Sequence, residues 1–349
     1  MARLRALPWN RPARASIVQL LARPVHAVLL HGAAGIGKLD LALDTAEWLL
    51  CERRPRGENA CGQCAGCVLV AAASHPDLRI VRPDALSQSE AATSDDGGSA
   101  DGAGTEAGGR ASREIRIEQV RDLADWIVLT THRGGVRVIV LEPAESMNAP
   151  SCNALLKVLE EPPEGTVFLL VSHRIDHTLP TVRSRCALLR VPLPPAVPAI
   201  AWLQERGVEQ ARQRLIEAGG SPLLAAQVGH DALTPELRGR LLGLLRKGAE
   251  LTPAEVVAMV PREAPIAGSV ALFQRWGWDF LAFQMAGTVR YHPDEVAAFQ
   301  GLAGRWRPAR ACSWLADLRA LRAYADHPLN AKLAVEGMLL SYAQSINET

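Results

Sequence analysis

No apolar run in this sequence is long enough to cross a bilayer. Val25–Leu30 and Val136–Leu141 hold only a few residues, against roughly 20 for a spanning helix. An excess of either charge is lacking too. The 38 Lys and Arg balance 37 Asp and Glu, leaving a net charge of +1, which removes any general argument for binding nucleic acid or a membrane surface. A DNA contact would have to use a local patch. The basic stretch Met1–Arg14 is followed by no apolar segment ending in a small-residue cleavage site, so secretion is not expected. A paired disulfide framework is missing as well: the 7 cysteines are odd in number, and four of them fall within Cys51–Cys67. A reducing, cytoplasmic compartment is the expectation.

What is present is a chain of 349 residues, 48% apolar and 21% charged, enough for two or three domains with sizeable cores. Gly32-Ala33-Ala34-Gly35-Ile36-Gly37-Lys38-Leu39 is a phosphate-binding loop complete except for its last residue. Glycines let backbone N–H groups approach phosphate oxygens, the lysine reaches the terminal phosphates, and a Ser or Thr would hold Mg²⁺. Leu39 stands where that hydroxyl belongs. Gly32, Gly35, Gly37 and Lys38 could still hold ATP or ADP without productive metal placement; an empty loop is the equal alternative. The apolar run ending at His31 and the helical spacing of Leu41, Ala42, Ala46, Leu49 and Leu50 give the strand–loop–helix context that the motif requires.

Two further strand-like runs, Val136–Leu141 and Thr166–Val171, flank a helix over Ser151–Glu161 that stops at Pro162-Pro163. Strands alternating with helices predict an α/β domain with a parallel sheet covered on both faces. Val138–Leu141 runs into Glu142-Pro143-Ala144-Glu145. Glu142 is a candidate metal anchor. The next position, which should carry the water-activating carboxylate, is Pro143 and can accept no proton; Glu145 is a poor substitute two residues on. Hydrolysis of ATP in cis is therefore not expected.

Cys51, Cys61, Cys64 and Cys67, three of them at two-residue intervals in a glycine-containing loop, match tetrahedral zinc ligation. Such a site is closed and structural. His75, nearby, could be a further ligand but reads first as a solvated loop residue. Ser87–Ser112 consists mainly of Gly, Ala, Ser, Asp and Glu without periodicity and reads as a disordered insertion. An amphipathic helix over Ile117–Thr130 follows. Pro192–Pro195 marks a hinge. Beyond it, strand signals give way to helices: three short ones within Val197–Gly229 and about five over Thr234–Asn347. Trp276, Trp278, Trp306 and Trp314 sit at helical spacing and read as packing residues. On its own, Ser184-Arg185-Cys186 reads as a surface arginine beside a buried cysteine.

Together, HGAAGIGK at 31–38, the four cysteines, SHPDL at 74–78, SMNAPSCNALLKVLEEPPEGTVFLLVS at 146–172, RSRC at 183–186 and GGSP at 219–222 resemble the delta-prime family of bacterial DNA polymerase III clamp-loader subunits. The resemblance implies an α/β AAA+ P-loop domain (1–191) with an embedded zinc module (51–67), a helical lid (192–231) and an all-α C-terminal collar (232–349). It implies a non-hydrolysing member of a five-subunit ring, beside motor subunits (gamma/tau) and the delta subunit, that loads the sliding clamp onto primer–template DNA. It also implies that Arg185 is a finger reaching the ATP of an adjacent motor subunit in trans. Leu223, following Gly220-Ser221-Pro222, stands where motor relatives carry a nucleotide-sensing arginine. The alternatives are a clamp-loader motor or related AAA+ ATPase acting in cis, and a zinc-containing DNA-binding regulator.

Overall fold

The computed structural model describes residues 7–53, 59–86, 112–129, 131, 135–227, 233–262, 264–323 and 330–347. The insertion expected over 87–112 lies, apart from Ser112, outside the described residues. The two sides of that segment are tied where the Ala85 N–H donates to the Ser112 carbonyl at 3.0 Å.

The chain divides into two compact units, residues 1–202 with 221–224, and residues 203–220 with 225–349. The first is built on five parallel strands: β1 (Ala27–His31), β2 (Leu78–Val81), β3 (Arg137–Leu141), β4 (Thr166–Ser172) and β5 (Ala187–Arg190), in the order β2-β3-β4-β1-β5. Side chains of a strand alternate between faces, and here both faces are apolar. Val28, Leu30, Val138, Val140, Leu169 and Val171 pack with α1 (Arg11–Leu21) and α2 (Lys38–Leu49). Ala27, Leu29, Ile139, Leu141, Phe168 and Leu170 pack on the other face with α4 (Ile117–Ile127) and α5 (Ala149–Glu160). That double burial explains why β1, β3 and β4 read as unbroken apolar runs. It makes this unit the α/β domain with a parallel sheet covered on both faces that the alternating strands and helices predict.

The edge strands β2 and β5 give no such signal. Arg79 and Ile80 of β2 are exposed, and β5 alternates half-buried with exposed positions, as suits an edge strand with one wet side. A short α3 (Ala65–Ala71) follows the cysteine loop, and α6 (Pro180–Arg183) precedes β5. The helices α7 (Ala196–Glu205), α8 (Ala211–Glu217) and α9 (Pro222–Ala226) are the three short ones expected after the hinge.

The second unit is all-helical over its described residues. From Pro235 onward the described residues contain α10 (Pro235–Lys247), α11 (Pro253–Met259), α12 (Ile266–Ala286), α13 (Val296–Ala303), α14 (Pro308–Ala323) and α15 (Ala331–Asn347), where about five helices are expected. Trp276, Trp306 and Trp314 are fully buried around Tyr342. The Trp276 indole donates to the Tyr342 hydroxyl, which donates to the Leu245 carbonyl at 2.9 Å. These three are the packing residues that their spacing predicts. Trp278 is 55% exposed and is not: two positions on, it falls on the opposite side of α12.

Candidate functional site

The phosphate loop leaves the carboxyl end of β1 and enters α2. Gly37 holds φ +86° at the start of that helix, and Gly35 holds φ +72°. Both are conformations that a side chain resists. A methyl group on Gly35 would also come within 2.4 Å of the Leu224 side chain. The loop is held by the chain's own atoms. The Trp9 indole donates to the Ile36 carbonyl at 2.9 Å, the Asn10 amide to the Gly37 carbonyl at 2.8 Å, and the Leu223 N–H to the Gly35 carbonyl at 3.0 Å. Lys38 is 2% exposed, and its ammonium donates to the carbonyls of Gly32, at 2.9 Å, and Ala33. Burial pulls its pKa down to about 8, against the raising influence of Glu142 and Glu145.

The expected metal anchors are not arranged for a metal. Leu39 packs into the apolar cluster around α1 and α2. Glu142 is buried, with one carboxylate oxygen 3.1 Å from the Arg82 guanidinium and the other 3.7 Å from His173 Nε2. Glu145 accepts the N–H groups of His173, at 3.0 Å, and Arg174, at 3.2 Å, on one carboxylate oxygen, which braces the turn after β4. The donor set that Mg²⁺–nucleotide requires does not fit these residues.

The cysteine cluster is assembled as the spacing predicts. The Sγ atoms of Cys51, Cys61, Cys64 and Cys67 all lie within 4.8 Å of one another, with Cys61–Cys67 and Cys51–Cys64 each at 3.9 Å. Four thiolates at about 2.3 Å from a central zinc would stand about 3.8 Å apart, whereas a disulfide would need about 2 Å. Backbone N–H groups are aimed at the sulfurs: Cys61 N–H at Cys51 Sγ, Cys64 N–H at Cys61 Sγ and Cys67 N–H at Cys64 Sγ, at 3.3–3.4 Å. Burial raises the Cys64 thiol, but the N–H groups of Cys67 and Glu52 outweigh it and hold it at about 6. Hydrogen bonds from the Gln63 and Cys64 backbone lower Cys61. Cys67 is pushed up by burial and by its neighbour Cys64. The four residues could hold a metal ion. His75 is not among them. It is 4% exposed, and its Nδ1 accepts the Asp77 N–H at 3.1 Å, so it is a buried turn-forming residue and not the solvated one expected.

Arg185 lies at the other end of the sheet. Ala187 of β5 pairs with Val28 of β1, and Arg190 with His31, so the phosphate loop follows the carboxyl end of β1 while Arg185 precedes the amino end of β5. Between the levels of Ala187 and Gly32 run four residues of strand, about 13 Å at 3.3 Å per residue. The guanidinium donates to the Thr181 carbonyl at 3.0 Å and pairs with Glu160 at the end of α5, further along the same edge. Its side chain is 34% exposed. Cys186 beside it is an inert thiol, raised to about 12 by burial.

A family model described as "DNA polymerase III, delta subunit" matches residues 19–194. The DNA polymerase III subunit delta' of Pseudomonas aeruginosa is 34% identical, over 97% of this chain and 90% of its own length. The chain belongs to the DNA polymerase III delta-prime family. The delta' subunit of Yersinia pestis is 35% identical, over 97% of this chain and 94% of its own. Among solved structures, a DNA polymerase III gamma subunit-related protein of Thermotoga maritima has 15% identity and a TM-score of 0.42, over 95% of this chain and 99% of that one.

In this chain the sequence-derived residues fall into three groups. Gly32, Gly35, Gly37 and Lys38 come together with Glu142 and Glu145, the four cysteines form their own cluster, and Arg185 stands apart from both. Two neighbours of the first group have no sequence signal of their own. Arg82 and His173 meet Glu142 because β2, β3 and β4 lie side by side, Val81 level with Leu141 and Leu141 with Leu170, three residues before His173. No helix of the described residues is long and apolar enough to cross a membrane.

Proposed function

We propose that this chain is a non-hydrolysing clamp-loader subunit of DNA polymerase III, acting in the cytoplasm within a five-membered ring with gamma/tau motor subunits and delta. It helps the ring load the sliding clamp onto primer–template DNA and gives Arg185 to the ATP of a neighbouring subunit. The observation that carries this reading is the opposed placement of Arg185 and the chain's own phosphate loop at the two ends of one sheet. An arginine at the amino end of β5 can serve only a nucleotide brought to that edge by another molecule. Its half-exposed guanidinium, held by a surface carboxylate, can exchange that partner for a phosphate. A fixed fork of N–H donors suits a phosphate's oxygens.

Further parts of the reading rest on family membership. The cysteine cluster holds structural zinc, whose removal would release four thiolates and the loop they organise. Residues 192–231 act as a lid and 232–349 as a collar through which subunits assemble. The test is DNA- and clamp-stimulated ATPase activity of the reconstituted loader, with wild type and with Arg185→Ala. Loss of turnover from an intact assembly is the expected outcome. Unchanged turnover would reduce Ser184-Arg185-Cys186 to a structural motif. Mg²⁺-dependent hydrolysis by the isolated chain would replace this reading with an ATPase acting in cis.

A further inference from the structure

The carboxyl edge of the sheet holds four buried or half-buried charged groups that the proposed function does not use. The last register pair of β2 and β3 is Val81 with Leu141, and the Glu142 N–H donates to the Val81 carbonyl at 3.0 Å. Arg82 and Glu142 therefore leave their strands side by side. Their side chains are 13% and 7% exposed, with Arg82 Nη2 3.1 Å from Glu142 Oε2. His173, after β4, closes on the other carboxylate oxygen. Lys38 is tied to loop carbonyls and Glu145 to loop N–H groups. Two cations, Lys38 and Arg82, balance two anions, Glu142 and Glu145, and each influences the others: Glu142 and Glu145 raise Lys38, while Lys38 and Arg82 lower His173, whose largest lowering comes from burial.

We propose that Arg82 is a built-in cation that takes the place of a divalent metal at this P-loop, neutralising Glu142 so that the site accepts no metal–nucleotide. The inference rests on the reading that the chain does not hydrolyse ATP and supplies a reason for it beyond the missing hydroxyl at Leu39. A buried carboxylate needs a counter-charge. The usual P-loop obtains part of it from the metal that arrives with the nucleotide, and this chain obtains it from the neighbouring strand. A dication brought to Glu142 would stand beside the Arg82 guanidinium, with no oxygen from residue 39 to hold it. A polyphosphate without its metal would face Glu142 and Glu145. Replacing Leu39 with Thr alone would therefore not restore a nucleotide site.

The test uses thermal melting of the full chain with and without millimolar MgCl₂ at matched ionic strength, together with binding of a fluorescent ADP analogue. For wild type, the melting temperature is expected to ignore Mg²⁺ and the analogue to show no Mg²⁺-dependent binding. Arg82→Ala, which leaves Glu142 buried without its counter-charge, is expected to melt several degrees lower and to regain at least half of that loss in MgCl₂. The double variant Arg82→Ala/Glu142→Gln is expected to lose the Mg²⁺ response. The proposal is overturned if Arg82→Ala melts like wild type, or if its loss is the same with and without Mg²⁺, which would make Arg82 a packing residue only. Mg²⁺-dependent analogue binding by wild type also overturns it, and that measurement stands even if Arg82→Ala does not fold. Binding without hydrolysis would sink this inference alone; hydrolysis by the isolated chain would sink the non-hydrolysing reading itself.

Discussion

The two ends of the sheet handle charge in opposite ways. At the carboxyl end, Lys38, Arg82, Glu142 and Glu145 are answered within the chain by one another and by backbone groups. At the amino end, the Arg185–Glu160 pair has side chains 34% and 50% exposed, and an exposed pair of this kind contributes only about 0.2–1 kcal/mol. A buried network resists visitors because breaking one partner strands another, whereas a surface pair exchanges at little cost. On the proposed reading, the difference separates a site that has become structural from one kept for a neighbour's nucleotide, although only the first carries the familiar nucleotide motif.

The sharpest way to break that comparison is to remove one cation from each end and measure the reconstituted loader. Arg185→Ala should lower stimulated turnover by roughly 10³-fold or more, the range in which arginine fingers act. Lys38→Ala should leave turnover within about twofold, because that ammonium donates to carbonyls of its own loop and transition-state stabilisation follows from contact with the reacting groups. Equal losses from the two variants would show that the nucleotide motif still works and that the contrast between the ends is false.

The cysteine cluster supplies a third case, a motif whose chemistry is complete. Cys64→Ser should drop metal content from about one zinc per chain to a small fraction of that, because zinc prefers four soft donors, and should lower the melting temperature by several degrees. In the assembled loader it should leave Arg185-dependent turnover in place, since Arg185 touches none of these residues. A wild-type protein without zinc would instead make Cys51, Cys61, Cys64 and Cys67 a thiol cluster of another kind.

These three cases also mark what the sequence makes legible. β1, β3 and β4 are evident because burial on both faces writes an uninterrupted apolar run; β2 and β5, with one wet side, carry Arg79 and Arg190 and write none. The four cysteines are evident because short spacing and a glycine-bearing loop bring the sulfurs together locally. Arg82 is not, because its role depends on the register of β2 against β3, and Arg82 and Glu142 lie 60 positions apart in a chain whose strand order is not its sequence order. His75 misled for a related reason: a histidine in a polar loop looks solvated until the loop is seen to fold onto the sheet, with its ring accepting the Asp77 N–H. Local chemistry can be read from spacing, whereas charge pairing between strands needs the topology.

The smallest expected effect probes how dry the carboxyl end is. Burial brings Lys38 down from an ordinary 10.5 to about 8. Below pH 8 both the folded and unfolded chains hold this proton, and the cost of burying the charge is present in full. Between about 8 and 10.5 the unfolded chain binds more protons at this residue than the folded one, so its contribution to stability rises with pH, by about 3 kcal/mol at most. Lys38→Met has no such proton. The stability of wild type relative to Lys38→Met, read from denaturant midpoints at each pH, should therefore shift in favour of wild type as pH rises from 7.5 to 10.5. A difference that stayed flat would mean that water reaches the ammonium, and the two ends of the sheet would then differ in degree of exposure and not in kind.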